Sequence, residues 1–288
     1  MMLSRLASGL IVFAVAVSAS LAQPIRIVAA ENVYGDIAGQ IGGARVAITS
    51  ILTSPTQDPH EFEANAATAR SIADAKLVIY NGVDYDPWVA KLLGASRSSS
   101  RATIEVAKLV HKKSGDNPHV WYDTAAVSAL ATALAGQLTQ LDPAHGEDYS
   151  RRLAAFEASM APLRGKIAAL RKQYAGTPVT ATEPLFDYMA EALGLKMRNG
   201  RFQLAVMNGT EPSAAAIAAL EKDLRTRTVK VLLYNTQTTQ ALAERMRTIA
   251  NVAGVPVVAI TETEPAGQTY QAWMLAQLDA LERALGGR

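Results

Sequence analysis

Residues 142–175 of the sequence, DPAHGEDYSRRLAAFEASMAPLRGKIAALRKQYA, contain one continuous apolar stripe. Its members recur at alternating spacings of four and three residues and are Tyr149, Leu153, Phe156, Met160, Leu163, Ile167, Leu170 and Tyr174. This period is typical of one face of an α-helix, and the pair Asp142–Pro143 is typical of a helix start. The stretch predicts a single helix of about 30 residues, roughly 45 Å long, which is long enough to span two lobes without a flexible hinge.

Strand-like apolar runs flank this helix on both sides. They cover residues 25–29, 46–52 and 77–80 before it, and residues 177–182, 229–234 and 255–260 after it. Helical patterns at 185–193, 213–224 and 238–252 separate the later runs. The alternation predicts an α/β protein, with two α/β lobes of mostly parallel sheets joined by one long rigid helix, and disfavours the alternative of a helical bundle. We expect an N-terminal lobe at 23–142, a linking helix at 143–175 and a C-terminal lobe at 176–288.

The composition excludes several classes of function. The 288 residues carry a net charge of +2, which gives no electrostatic basis for binding nucleic acid. The sequence has no cysteine, so disulfides, zinc fingers, iron–sulfur clusters and thiol nucleophiles are excluded. Any metal site must therefore use nitrogen and oxygen ligands.

Residues 1–22 are predicted to be a secretory signal peptide. Arg5 supplies a positive charge, residues 6–21 form an apolar stretch, and Ser20–Ala22 place small residues where a signal peptidase cleaves. The apolar run is short for the alternative, a membrane anchor. Because no cysteine can receive a lipid after cleavage, we expect a mature protein that is free in the periplasm and not lipid-anchored.

Two of the four histidines stand in similar polar loops. The segments Asp58–Pro59–His60 and Asn117–Pro118–His119 both place a histidine after a proline, which restricts the backbone. A histidine in a loop is by default an exposed surface residue, but two matching segments favour a pair of metal ligands. The other two histidines, His111 and His145, are predicted to be exposed residues without a role in the site.

Two glutamates complete a candidate ligand set. Glu183 directly follows a predicted strand of the C-terminal lobe, and Glu262 follows another with one residue between. Ligands of α/β sheets collect at the carboxyl ends of the strands, although either glutamate could also be a carboxylate stabilised at a helix N-terminus. With His60 and His119 they predict a four-ligand site of two nitrogens and two oxygens, which suits Mn²⁺, Fe²⁺, Zn²⁺ or Co²⁺.

Several segments together carry a family resemblance. They are Asp58–Glu63 (DPHEFE), Asn81–Gly82, Asn117–Trp121 (NPHVW), Ala181–Phe186 (ATEPLF) and Asn208–Ser213 (NGTEPS). The chain resembles, over nearly its whole mature length, the metal receptors of ABC transporters, the zinc- and manganese-binding periplasmic proteins also called cluster A-I solute-binding proteins. The resemblance implies two α/β lobes joined by one long helix, with the metal buried in the cleft.

The resemblance also implies the ligands. His60 and His119 match the family's two first-lobe histidines. Glu183 stands where zinc-selective members usually have a third histidine and where manganese- or iron-type members have glutamate. Glu262 stands where the family usually has aspartate, and Glu264 is the alternative for this fourth ligand.

The implied function is a periplasmic solute-binding protein that delivers a divalent metal to an ABC permease and works as a monomer. Mn²⁺ is favoured, with Zn²⁺ or Fe²⁺ possible, because Glu183 replaces a histidine and because no histidine-rich loop lies between His60 and His119. A periplasmic metallochaperone or a surface adhesin on the same fold is one alternative. A metal-dependent hydrolase is another, disfavoured because the sequence lacks a His-Glu-x-x-His helix and both glutamates are used as ligands. We therefore expect a protein that is not an enzyme.

Overall fold

The computed structural model describes residues 23–238 and 240–287. The predicted signal peptide, residues 1–22, lies outside the described residues. Within the described ranges, no helix is both long enough and apolar enough to cross a membrane.

The sheet of the N-terminal lobe is parallel throughout. Its strands are β1 (Ile25–Glu31), β2 (Val46–Leu52), β3 (Leu77–Tyr80) and β4 (Ala102–Glu105), in the order β2-β1-β3-β4. The helices of this lobe are α1 (Asn32–Gly42), α2 (Ala66–Asp74), α3 (Pro87–Ala95), α4 (Val106–Leu109) and α5 (Thr124–Leu141). Asp123 caps α5, because its Oδ1 accepts a hydrogen bond from Ala125 N at 2.8 Å.

The C-terminal lobe repeats this arrangement. Its parallel strands are β5 (Pro178–Ala181), β6 (Lys196–Arg198), β7 (Leu232–Asn235) and β8 (Val257–Ile260), in the order β6-β5-β7-β8. Its helices follow the linking segment α6 (Gly146–Ser159) and α7 (Ala161–Tyr174), and are α8 (Asp187–Ala192), α9 (Gly200–Met207), α10 (Ala214–Arg225), α11 (Ala241–Ala253) and α12 (Tyr270–Leu285). The predicted fold class, two α/β lobes with parallel sheets, is confirmed.

The predicted single helix over 143–175 is instead two consecutive helical segments. Met160 interrupts it between α6 and α7, because Pro162 has no N–H to donate to the carbonyl four residues earlier and one helical hydrogen bond is lost there. The apolar stripe nevertheless stays continuous, and Tyr149, Phe156 and Leu163 are buried. The linking segment starts later than the sequence predicts: residues 143–145 form a 3₁₀ turn, and Asp142 makes no capping bond.

The edge strands β4 and β6 were not predicted. Both are short, and their solvent-facing positions carry polar side chains, so neither shows an apolar run. The predicted strand at 229–234 begins only at Leu232, although Val229 is fully buried before it.

One apolar core extends through both lobes. It contains Ile27 of β1, Leu233 of β7 and Leu281 of α12, all at most 1% exposed. The linking segment packs on each lobe, with α6 against α1 and α5 and with α7 against α12. The two sheets are therefore held in a fixed relation, and the loops at their carboxyl ends are brought together.

The end of α1 packs so closely on the start of β2 that Gly42 leaves no room for a side chain. A Cβ on Gly42, which ends α1, would overlap both methyl carbons of Val46 and lie 3.0 Å from its Cβ, so no rotation of that side chain relieves the contact. We expect Gly42→Ala to lower the free energy of unfolding by about 1–3 kcal/mol, measured by denaturant unfolding. The control is Gly136→Ala in the middle of α5, where no atom lies within 4 Å, and which should raise it by about 0.5–1 kcal/mol. Equal stability of the two variants would contradict this packing.

Candidate metal centre

The two predicted histidine loops have the same local geometry. Asp58 Oδ1 accepts a hydrogen bond from His60 N at 2.9 Å, and Asn117 Oδ1 accepts one from His119 N at 3.0 Å. Each Asx side chain thus closes a turn around the intervening proline, and the turn fixes the direction in which the histidine leaves the backbone.

His119 is fully buried and has a defined tautomer. Its Nδ1 lies 2.8 Å from Asn117 Oδ1, so Nδ1 carries the hydrogen and Nε2 is left with a free lone pair. Burial lowers the pKa of His119 more than the neighbouring Glu262 raises it. The ring is therefore in the neutral form that binds metals.

Glu262 faces both histidines. Its Oε2 lies 3.5 Å from His119 Nε2 and 3.6 Å from His60 Nε2, and it accepts a hydrogen bond of 2.8 Å from the Tyr85 hydroxyl. The ligand atoms of His60, His119 and Glu262 lie within 4.8 Å of one another, the only such group of three or more His, Cys, Asp or Glu residues in the described part of the chain. Burial acts to raise the pKa of Glu262, but its contacts with His119 and His60 outweigh burial and lower it to about 2.

Glu183 lies beside this group but not within it. It is 3% exposed, and its Oε2 accepts a hydrogen bond of 3.0 Å from Asn235 Nδ2, the same atom that donates to Glu262 Oε1 at 2.7 Å. Burial, followed by the negative charge of Glu262, raises the pKa of Glu183 to about 8. The structure therefore brings three of the four predicted residues together directly and connects the fourth through one amide.

Glu264 has a different environment from Glu262. Its backbone N–H and carbonyl are hydrogen-bonded to the side chain of Asn32, at 3.0 and 2.7 Å. Burial, and then the charge of Asp36, raises the pKa of Glu264 to about 9. It is not a member of the histidine group, so the geometry favours Glu262 over this alternative.

The remaining histidines are distant from the group. His145 binds Asp142 through Nδ1 at the start of the linking segment, and His111 is exposed in a loop after α4.

Three residues of the site were missed by the sequence analysis: Tyr85, Asn235 and Gln237. Gln237 bridges the lobes, because its Nε2 donates to the backbone oxygens of Ser54 and Gln57 while its Oε1 accepts from the backbone N of Glu262. Asn235 ends β7, so the strand-end rule that found the glutamates would have found it as well had it been applied to amides. No local signal distinguishes Tyr85 or Gln237.

The loops of the two lobes are in direct contact around the histidines. Asn117 Nδ2 donates to the carbonyl of Pro184 at 2.6 Å, and the Tyr188 hydroxyl donates to the carbonyl of Asn117 at 2.7 Å. These contacts close the site on the His119 side. His60 is the more open of the two histidines, with 21% of its side chain exposed.

The atoms of the site fit a metal ion. His60 Nε2 and His119 Nε2 are buried and have no hydrogen-bond partner, although buried polar atoms normally have one. Tetrahedral ligands about 2.1 Å from a metal lie roughly 3.4 Å from each other, close to the spacing between each Nε2 and Glu262 Oε2. Imidazole nitrogens with carboxylate oxygens are donors for Mn²⁺, Fe²⁺ and Zn²⁺.

Comparison with known proteins finds relatives over nearly the whole chain. The chain is 24% identical over 289 residues to the manganese ABC transporter substrate-binding lipoprotein PsaA of Streptococcus pneumoniae, a match that covers 91% of this chain and 90% of that protein. Among solved structures, it matches the periplasmic zinc-binding protein TroA from Treponema pallidum with a TM-score of 0.77 and 19% identity, over 91% of this chain and 99% of TroA. It also matches the SBP FpvC from Pseudomonas aeruginosa in complex with Mn²⁺, with a TM-score of 0.75 and 21% identity, over 92% and 99% of the two chains.

The model of the ZnuA family, described as zinc-uptake complex component A, periplasmic, matches residues 27–284. The expected resemblance is confirmed by this match, which covers nearly all of the described residues. The chain belongs to the ZnuA family of periplasmic substrate-binding proteins of metal ABC transporters.

Proposed function

We propose that this chain captures one divalent transition-metal ion between its lobes and delivers it to an ABC permease of the inner membrane. The observation that carries the proposal is the pair of buried Nε2 atoms of His60 and His119. Neither has a hydrogen-bond partner, and each lies 3.5–3.6 Å from the same oxygen of Glu262. A cation bound there would satisfy both nitrogens and balance the buried carboxylate.

Glu183 is the fourth ligand in this proposal. Its carboxylate lies on the second-lobe side of the site, 3.0 Å from the amide that also holds Glu262. A set of two imidazoles and two carboxylates is rich in hard oxygen donors, which supports Mn²⁺ as cargo, with Zn²⁺ and Fe²⁺ also accepted. Three similar proteins support this range of metals. PsaA is named as part of a manganese transporter, TroA is described as zinc-binding, and the FpvC structure is a complex with Mn²⁺.

The proposed activity is transport without catalysis. A metal-dependent hydrolase keeps an open coordination position and a general base beside it. Here both carboxylates are assigned to the metal, and the loops of both lobes cover the site, through contacts such as Asn117 to Pro184. Enclosure favours capture of an ion over access of a substrate.

We further propose that the protein acts as a monomer, free in the periplasm. PsaA is named a lipoprotein, but the present sequence has no cysteine to which a lipid thioether could be attached. Delivery is tested by metal uptake in cells that lack the gene, which the wild-type chain should restore.

Removal of one histidine tests the ligand assignment. We expect His119→Ala to weaken binding of Mn²⁺ and Zn²⁺ by more than about 100-fold in calorimetry, since loss of an outer-shell partner alone costs 10- to 100-fold. His145→Ala is the control, because the His145 ring is hydrogen-bonded to Asp142 at the start of the linking segment and is not part of the ligand group. His119→Ala should also fail to restore uptake. Equal affinities of the two variants would reject the site.

Metal binding should stabilise the fold. A ligand that binds only the folded state adds about 4 kcal/mol when its free concentration is a thousand times its Kd. For a chain of this size we expect a rise in melting temperature of roughly 7 °C when Mn²⁺ or Zn²⁺ is added to chelator-treated protein. The double variant His60→Ala/His119→Ala should show no rise, and a wild-type protein that melts at the same temperature with and without metal would contradict the proposal.

Glu183 should determine part of the metal selectivity. Glu183→His would replace a charged oxygen donor by a neutral nitrogen, giving three histidines and one carboxylate, a set that Zn²⁺ accepts readily. We expect affinity for Mn²⁺ to fall by about tenfold or more, while affinity for Zn²⁺ holds or rises. Competition between the two metals, on wild type and variant in one buffer, measures the ratio. An unchanged ratio would show that Glu183 is not the selectivity ligand.

A further inference from the structure

Asn235 occupies the point at which the two second-lobe carboxylates meet. It is the last residue of β7, its exposure is 0%, and β7 lies between β5, which leads to Glu183, and β8, which leads to Glu262. The sheet order therefore places one amide between two carboxylates that come from different loops.

The amide contacts both carboxylates at once. Asn235 Nδ2 donates to Glu262 Oε1 at 2.7 Å and to Glu183 Oε2 at 3.0 Å, which uses both of its hydrogens. One oxygen of each glutamate is turned toward Asn235 in this way. The other oxygen of Glu262 is the one that faces the histidines.

The orientation of this amide is fixed by its surroundings. Asn235 Oδ1 accepts a hydrogen bond from Gln237 N at 3.1 Å, and Asn235 N donates to Thr182 Oγ1 at 3.0 Å. Rotating the amide by 180° would place its oxygen against two carboxylates and its NH₂ group against a backbone N–H. The donor is therefore held toward the glutamates by contacts that do not involve the histidines.

We propose that Asn235 is a positioning residue that limits Glu183 and Glu262 to one metal-binding oxygen each, and that it thereby sets the coordination number and the metal preference of the site. This inference rests on the proposed metal-binding function. With one oxygen from each glutamate and one nitrogen from each histidine, the cargo has four ligands, a number that Zn²⁺ prefers. Without the amide, each carboxylate can bind through both oxygens, and a site of up to six donors favours Mn²⁺ relative to Zn²⁺.

The test compares Asn235→Leu, which keeps a similar volume and removes both N–H donors, with wild type. We expect Zn²⁺ affinity to fall by about 10- to 100-fold, the usual cost of removing an outer-shell partner, and Mn²⁺ affinity to fall less, so that the Zn/Mn affinity ratio decreases. Co²⁺ bound to the variant should lose the intense visible absorption of a four-coordinate ion. Asn235→Ser, which is smaller and keeps one hydroxyl donor, gives a second test with an intermediate effect should Asn235→Leu fail to fold.

The control is Gln203→Met, which removes a buried amide of the same lobe whose Nε2 donates to the Arg198 carbonyl and to neither glutamate. It should leave the Zn/Mn ratio and the Co²⁺ spectrum unchanged. Equal losses of both metals with an unchanged Co²⁺ spectrum in the Asn235 variants would overturn the inference, and so would unchanged affinities. If wild type and Gln203→Met bind no metal, the proposed function itself fails. That result differs from failure of the present inference, in which wild type binds metal and the Asn235 variants keep the same Zn/Mn ratio.

Discussion

The carboxylate of Glu262 is buried where the two lobes meet, and the rest of the site is arranged around it. Burying an ionised carboxylate is strongly unfavourable unless it is paired or hydrogen-bonded. Hydrogen bonds from both lobes offset part of this cost: the Tyr85 hydroxyl donates to Oε2 from the first lobe, and Asn235 Nδ2 donates to Oε1 from the second. Tyr85 lies 177 residues earlier in the chain, so the charge is compensated only when the lobes are correctly assembled.

The linking segment and the shared core make this assembly possible. Because α6 packs on the first lobe and α7 on the second, the stripe from Tyr149 to Tyr174 holds the two sheets in one orientation. The carboxyl ends of β5, β7 and β8 then face the histidine loops. A buried charge at this boundary requires a rigid connection, since a loosely joined pair of lobes would expose it to water.

The sequence predicted the strands with apolar runs well and the short polar strands poorly, for a physical reason. The strands at 46–52 and 77–80 were predicted with their observed bounds because apolar and β-branched residues dominate both, although β2 is an edge strand and β3 is central. The edge strands β4 and β6 have only four and three residues, several of them polar, and so form no apolar run that the sequence would reveal. The interruption at Met160 escaped because the buried face continues through it: packing constrains Met160 and Leu163, whereas the break depends only on the missing N–H of Pro162.

For the site, the two matching Asx-Pro-His loops selected His60 and His119 as candidates, and strand position selected Glu183 and Glu262. Neither signal found the residues that orient them. An amide such as Gln237 is neutral and common, and its importance depends on partners such as Gln57, 180 residues away in the chain. Nothing in the local sequence distinguishes it from an exposed glutamine. Only the tertiary contacts show that its two ends bind different lobes.

Metal preference in such a site cannot follow from donor types alone. For any set of nitrogen and oxygen donors, Zn²⁺ binds at least as tightly as Mn²⁺ in the intrinsic affinity series, so a preference for Mn²⁺ requires a geometric contribution. Two glutamates bring four oxygens to the site, which favours Mn²⁺, whereas the contacts of Asn235 turn two of these oxygens toward its amide and so act in favour of Zn²⁺. The number of bonds offered to the ion is then controlled by a residue that does not touch it. In the proposed site, the histidines and glutamates determine which metals can bind, and the amide determines how many bonds each metal can form. Relatives with the same ligands would then differ in cargo through one amide.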